Sequence, residues 1–248
     1  MIMLEEVNLM NILDYLILII IILGALIGYK RGVISSVVGL VSTLVVIILA
    51  FYLKNPISVF LYEHFPFFTF TGKLKGITVY NIIIYEAISF LITLSILSFI
   101  IKILGKITGV AGRFDGSLNI GLFGRILGLL FGLVQGYLMV FFICFIVSAF
   151  CATSSLYLNS KYCEIVIEKT PLLNEIVNDT YNSIKEVYDI TMEYQNMEDK
   201  TEANKESLKV LLKYEIVSEK SAQKLNESGK LKINNIEDVL NKYKEALK

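Results

Sequence analysis

The chain has 248 residues, 55% of them apolar, with 23 basic and 23 acidic side chains, one His, three Cys, three Pro and no Trp. A mean hydropathy of +0.64 excludes an ordinary water-soluble domain, and zero net charge with scattered lysines excludes the basic surface that nucleic-acid binding needs. The charges are unevenly spread: residues 1–152 hold 9 basic and 6 acidic side chains, residues 153–248 hold 14 and 17, so a membrane region is followed by a water-facing helical tail.

Four runs reach the 18 to 20 residues that a bilayer core of about 30 Å requires, which predicts an all-α integral membrane protein. The first, residues 9–29, follows Glu5 and Glu6 and has no small-x-small cleavage site, so it is expected to stay as an anchor and not to act as a signal peptide. Near its start, Asn11 and Asp14 suit a helix N-terminus, where a cap and a first-turn carboxylate meet the positive end of the dipole; ion or proton handling by Asp14 is the competing role. Gly24, Gly28 and Gly32 recur every fourth residue at its far end, followed by the second span at residues 33–53. An aromatic stretch over residues 60–70 then favours the headgroup zone, and its His64, the single histidine, has too few companions for a metal site.

The third span, residues 77–101, contains only Glu86, nine residues in, which is expected to be protonated or hydrogen-bonded, with Gln135 as a candidate partner; a structural bond and a place in a polar pathway are both open. Residues 102–125 are glycine-rich and basic but match neither a P-loop nor a dinucleotide fingerprint, and read as a flexible turn. The fourth span, residues 126–152, is uncharged and carries Gly128, Gly132 and Gly136 in register with Gly124. Such rows let backbones approach closely in lipid, within one chain or between copies, so Gly24, Gly28, Gly32, Gly124, Gly128, Gly132 and Gly136 are candidate helix-packing positions and homo-oligomerisation is their second use. Cys151 and Cys163 could pair if the tail lies outside the cytoplasm, although packing of at least one thiol fits the spacing better.

In the tail, Leu173, Ile176, Val177, Tyr181, Ile184, Val187, Tyr188 and Met192 mark one helical stripe after Pro171. Further helices are expected over residues 202–214, between a Ser218 cap and Gly229, and after Asn235. Being short and amphipathic, they need a partner surface: each other, another chain or a membrane face. Six Lys and Arg in the connections between spans one and two and between spans three and four, against five on the other side, predict both termini outside the cytoplasm of a plasma or inner membrane protein.

Asn11 and Asp14, the Arg31-Gly32 pair, and Arg125 followed by Gly128, Gly132 and Gly136 together resemble the colicin V production (CvpA) membrane protein family, over roughly residues 11–150. The resemblance marks Asp14, Arg31 and Arg125 as motif positions, and Gln135 as a departure where the family often has a basic residue. It implies a multi-pass protein needed for production or export of a peptide toxin, with wider envelope effects and no established reaction. Some relatives carry an extracytoplasmic serine protease after the same spans; this tail carries none, and no Gly-x-Ser-x-Gly or Cys-x-x-Cys occurs. The expectation is a non-enzymatic scaffold without cofactor or metal, whose tail meets an unknown membrane or envelope protein. The alternative is a small oligomeric transporter or channel subunit with Asp14, Glu86 and Gln135 along a polar path.

Overall fold

Apolar side chains that point in every direction leave a helix only two environments, lipid or protein, and this chain uses both. The computed structural model describes residues 11–108, 121–231 and 233–246, and contains no strand among them. Helix α1 (Ile12–Arg31) turns directly into α2 (Val33–Leu53) at Gly32, whose φ of 80° is a left-handed conformation that a side chain would oppose. Helix α3 (Asn55–His64) follows with Pro56 in its first turn, where a missing N–H costs nothing. A single 3-10 turn (Gly72–Leu74) leads to α4 (Tyr80–Thr108), and α5 spans Gly121–Cys151. The tail forms α6 (Ser155–Leu158), α7 (Lys161–Lys169), α8 (Leu173–Glu193), α9 (Thr201–Lys213), α10 (Glu219–Glu227) and α11 (Ile236–Ala246).

Helices α1, α2, α4 and α5 are each long and apolar enough to cross a membrane. Their flanks carry large exposed apolar side chains, such as Ile19, Ile22, Leu26, Phe99 and Leu130, as lipid contact demands. At 1.5 Å per residue α1 and α2 are about 30 Å long, matching a bilayer core, while α4 and α5 are about 45 Å and must overrun it. The overrun at the start of α4 is buried in protein. Tyr80, Ile82 and Ile83 belong to one core with Ala149, Leu208, Leu211 and Val239, so the tail helices form a cap around the end of α4. The expected third span at residues 77–101 therefore joins two environments: residues 77–79 precede the helix, and its first turns are apolar because the cap covers them.

Polar contacts fasten the cap. Buried Asn204 of α9 donates to the Gly76 carbonyl at 2.9 Å and accepts from the Val79 N–H and the Thr78 hydroxyl at 3.1 Å, closing donors at the entry to α4. Lys230 donates to the Tyr62, Glu63 and Phe65 carbonyls at 3.0, 2.6 and 3.0 Å, so a cation ends the last turn of α3, where the dipole favours it. In the aromatic stretch, Asn81 bonds both the N–H and the carbonyl of Phe68, and Phe67 and Phe68 pack on Tyr85. The amphipathic tail helices thus find their partner surface in one another and in α3 and α4. The glycine-rich connection is helical as far as Thr108 and again from Gly121; Gly109, Gly112, Arg113 and Gly116 lie outside the described residues, as do Glu5 and Glu6.

Candidate functional site

Helices α1 and α5 run antiparallel with their glycine rows face to face. A Cβ built on Gly24 would stand 2.6 Å from the Gly132 carbonyl oxygen and 2.8 Å from the Gly136 Cα; one on Gly28 would stand 2.7 Å from the Gly132 Cα. The obstacles are backbone atoms, so no side-chain rotation can make room. Gly124 is buried on α5, and Gly32 serves the seam through its backbone, which lies against Gly128, while a Cβ built on Gly32 itself would meet nothing within 4 Å. Arg31 and Arg125 are both exposed at this end of the bundle.

The seam also fixes the heights of the polar residues. Gly136 meets Ile20 and Ile21, which puts Asp14 level with about Cys144. Asp14 is 1% exposed and accepts a hydrogen bond of 2.5 Å from the Ser160 hydroxyl. The same Ser160 oxygen caps α7, accepting from the Cys163 N–H at 3.2 Å, so Asp14 lies at the positive end of that helix. The expected Asn11 side-chain cap does not form: Asn11 donates through Nδ2 to the Leu156 carbonyl, because the tail folds back over the start of α1 and offers a better-placed acceptor.

Glu86 does not pair with Gln135. Its carboxylate is held by the Lys54 ammonium and the Ser58 hydroxyl in a buried group at the end of α2, where Lys54 and Glu86 are 5% and 4% exposed. Gln135 donates to the Thr43 hydroxyl at 3.1 Å, with Gly39 leaving room for the amide. Thr43 and Lys54 are eleven residues apart on one helix, a rise of about 16 Å, which is why the two polar groups cannot meet. Equal depth in two linear spans misleads here because α4 begins above the bundle. Lys54, which reads as a loop charge, is an internal counter-ion.

The cysteines also pair differently. Cys144 and Cys163 form a disulfide with Cα atoms 5.2 Å apart, and Cys151 is free. Cys151 is at the last turn of α5, whereas α7 turns back down the bundle and brings Cys163 beside Cys144, a position that spacing along the chain does not reveal. A cleft of about 160 Å³ opens between α6, α7 and α8, lined among others by Tyr157, Ser160, Glu164, Tyr181, Lys185 and Asp189. Lys185 bridges Glu164 and Glu168 at 2.9 and 2.8 Å, and those carboxylates hold its ammonium well above the usual lysine range. Burial pushes the Tyr181 hydroxyl, 3.1 Å from that of Tyr157, up to about 12.

Among the described residues no three His, Cys, Asp or Glu converge as metal ligands, and His64 lies stacked on Phe60 with Nδ1 2.9 Å from that residue's carbonyl. Ser160, Ser58, Thr43 and Lys54 are the partners that reading along the chain misses; each acquires its role from a helix distant in sequence.

Four apolar spanning helices, a glycine seam and polar residues paired inside the bundle define a helical multi-pass membrane protein. Residues 13–171 match the Colicin V production protein family, and the chain belongs to that family. It is 25% identical over 180 residues to the Uncharacterized transmembrane protein YshB of Bacillus subtilis (strain 168), an alignment covering 68% of this chain and 97% of that protein. No solved structure matches. The family match ends at residue 171, so it takes in α6 and α7 and leaves α8 to α11 outside it.

Proposed function

We propose that this protein is a non-enzymatic scaffold of the plasma or inner membrane, accessory to production or export of a colicin V-like peptide toxin and to envelope homeostasis. The observation that carries the reading is the separation of its intramembrane polar groups. Asp14 with Ser160, Glu86 with Lys54 and Ser58, and Gln135 with Thr43 are three local pairings at different places, each satisfied internally, whereas a solute path needs polar groups in continuous succession. The backbone-to-backbone seam favours a rigid support over a bundle that opens and closes. The apolar stripes of α9 to α11 are spent inside the cap, so an envelope partner would meet its polar outer surface.

The test is ion and small-solute flux through proteoliposomes of the full chain, repeated with Glu86→Ala. No flux is expected from either; flux that the substitution abolishes would replace the scaffold with the channel or transporter subunit. For orientation, a cap outside the cytoplasm is supported by the Cys144–Cys163 bridge, since disulfides persist on the oxidising side. A single cysteine at Ser228, in a chain whose native cysteines are replaced, should react in intact cells with a membrane-impermeant thiol reagent; reaction only after permeabilisation would place the cap in the cytoplasm.

A further inference from the structure

Beyond α5 the chain does not rise into water. Cys163 is bridged to Cys144, seven residues short of the end of α5 and so about 10 Å back along it. Thr170, just after α7, meets the hydroxyl of Tyr137 at 2.7 Å, on a residue two turns lower again. Helices α6 and α7 therefore run back beside α1 and α5, from the depth of Asp14, which bonds Ser160 at the cap of α7, to about that of Ile20 and Ile21, which meet Gly136 next to Tyr137.

Helix α7 has three faces. Cys163, Val166 and Ile167 are buried against α5. Glu164 and Glu168 turn toward α8 and share Lys185. The third face presents Tyr162 and Ile165, 42% and 46% exposed, and continues into Leu156 and Leu158 before it and Leu172 after it, the last 74% exposed at φ 65°. Water would disfavour such a row, and among the described residues nothing in the cap covers it. Its edge abuts the first turn of α1, through Asn11 and Leu156, where Ile12, Tyr15 and Leu16 are exposed on a helix that spans the membrane.

We propose that residues 155–172 form a helix-turn that enters the leaflet beside the cap at the headgroup zone and descends through its acyl region, its exposed face covered by the phospholipids of the same bilayer. The occupant follows from continuity, because the patch prolongs the lipid-covered face of α1 without a break. Tyr162, near the start of the descent, suits the interface with an apolar ring and a polar tip, and Lys161 at the start of α7 can extend its ammonium group to the surface. The segment pins the cap to the membrane as well as to the bundle, whichever side of the membrane the cap occupies, so this inference stands or falls apart from the orientation and from the scaffold reading.

The experiment uses the full chain with Cys151→Ser, which keeps the Cys144–Cys163 bridge, in vesicles of phosphatidylglycerol and phosphatidylcholine. An environment-sensitive fluorophore is attached at Ile165→Cys or Leu172→Cys, with Gln223→Cys in the cap and Leu26→Cys in α1 as references. Both test positions should emit to the blue of Gln223→Cys with little loss to aqueous iodide; Ile165→Cys should lose most of its emission to a lipid spin-labelled near the headgroup, and Leu172→Cys, like Leu26→Cys, should respond best to a deep label. Iodide quenching at both positions equal to that at Gln223→Cys would overturn the proposal. So would protection from lipid and iodide alike, which would mean that a second copy covers the patch.

Discussion

Among the described residues Lys54 and Glu86 form a buried ion pair, and the pairing decides what each substitution costs. Lys54→Met would leave the Glu86 carboxylate without its cation, a loss of about 3–5 kcal/mol, whereas Lys54→Met with Glu86→Leu should recover most of it because no charge then remains buried. Thermal midpoints in detergent for the two single variants and the double variant would check this; a double variant as unstable as their sum would show that the two side chains act independently. The charge on Glu86 and its need for a partner are legible in the sequence, but the partner is not. Lys54 stands at the end of another helix, and only the approach of α2 to α4 makes it internal. Asp14 is the converse case. Its place at a helix start is legible, while its acceptance of the Ser160 hydroxyl depends on a tail segment returning over that start.

At the scale of helices, the ends of α9 and α10 use the same termination with different residues. After α10 the N–H groups of Gly229 and Lys230 donate to the carbonyls of Asn226 and Leu225 at 2.9 and 3.0 Å; after α9 those of Glu215 and Ile216 donate to Leu212 and Leu211 at 3.0 and 2.8 Å. Gly229 takes φ 71° without strain, whereas Glu215 takes φ 53° against its own Cβ. Glu215→Gly should therefore stabilise the cap by about 1 kcal/mol, read as a raised thermal midpoint, and Gly229→Ala should lower it by a similar amount. The glycine seam allows a sharper test. Gly28→Leu drives a side chain into the backbone of α5 and should cost at least the roughly 1–3 kcal/mol of overpacking, whereas Gly105→Leu on α4, which meets nothing within 4 Å, should leave the midpoint nearly unchanged. Equal midpoints for the two variants would mean that α1 and α5 do not pack through this face.

For the molecule as a whole, the attachment of the cap is sensitive to acid. Burial raises the Glu63 carboxyl, but hydrogen bonds from Lys224 and Ser221 and the Lys224 charge outweigh it and hold the group below its usual range. Glu186 behaves in the same way, with Lys213 and Tyr214 overcoming burial. A carboxyl depressed in the folded state contributes stability that is present above its unfolded value near 4.5 and is lost as pH falls through the lower folded value. Lowering pH below about 4.5 should thus loosen α10 from α3 and α9 from α8, seen as faster protease cleavage of the cap while the spans stay intact. Glu63→Gln should lessen the acid sensitivity and weaken the neutral-pH attachment, since Lys224 would lose an ionised partner.

The class of molecule and much of its helical plan are legible in local sequence. Runs of about twenty apolar residues have one economical solution in a bilayer, because a helix alone satisfies its backbone within a single segment. Glycines at every fourth position mark a helix face, and a Ser218 cap and Gly229 bracket α10, because such signals are local. Long-range packing sets the rest: that the first turns of α4 are apolar for the sake of the cap, that Cys144 and not Cys151 meets Cys163, that Glu86 meets Lys54 and not Gln135, and that α7 turns back along α5. Hydrophobicity records that a residue avoids water without recording whether lipid or protein excludes it, and a pairing between distant segments depends on the height at which helices pass one another, which no local pattern carries.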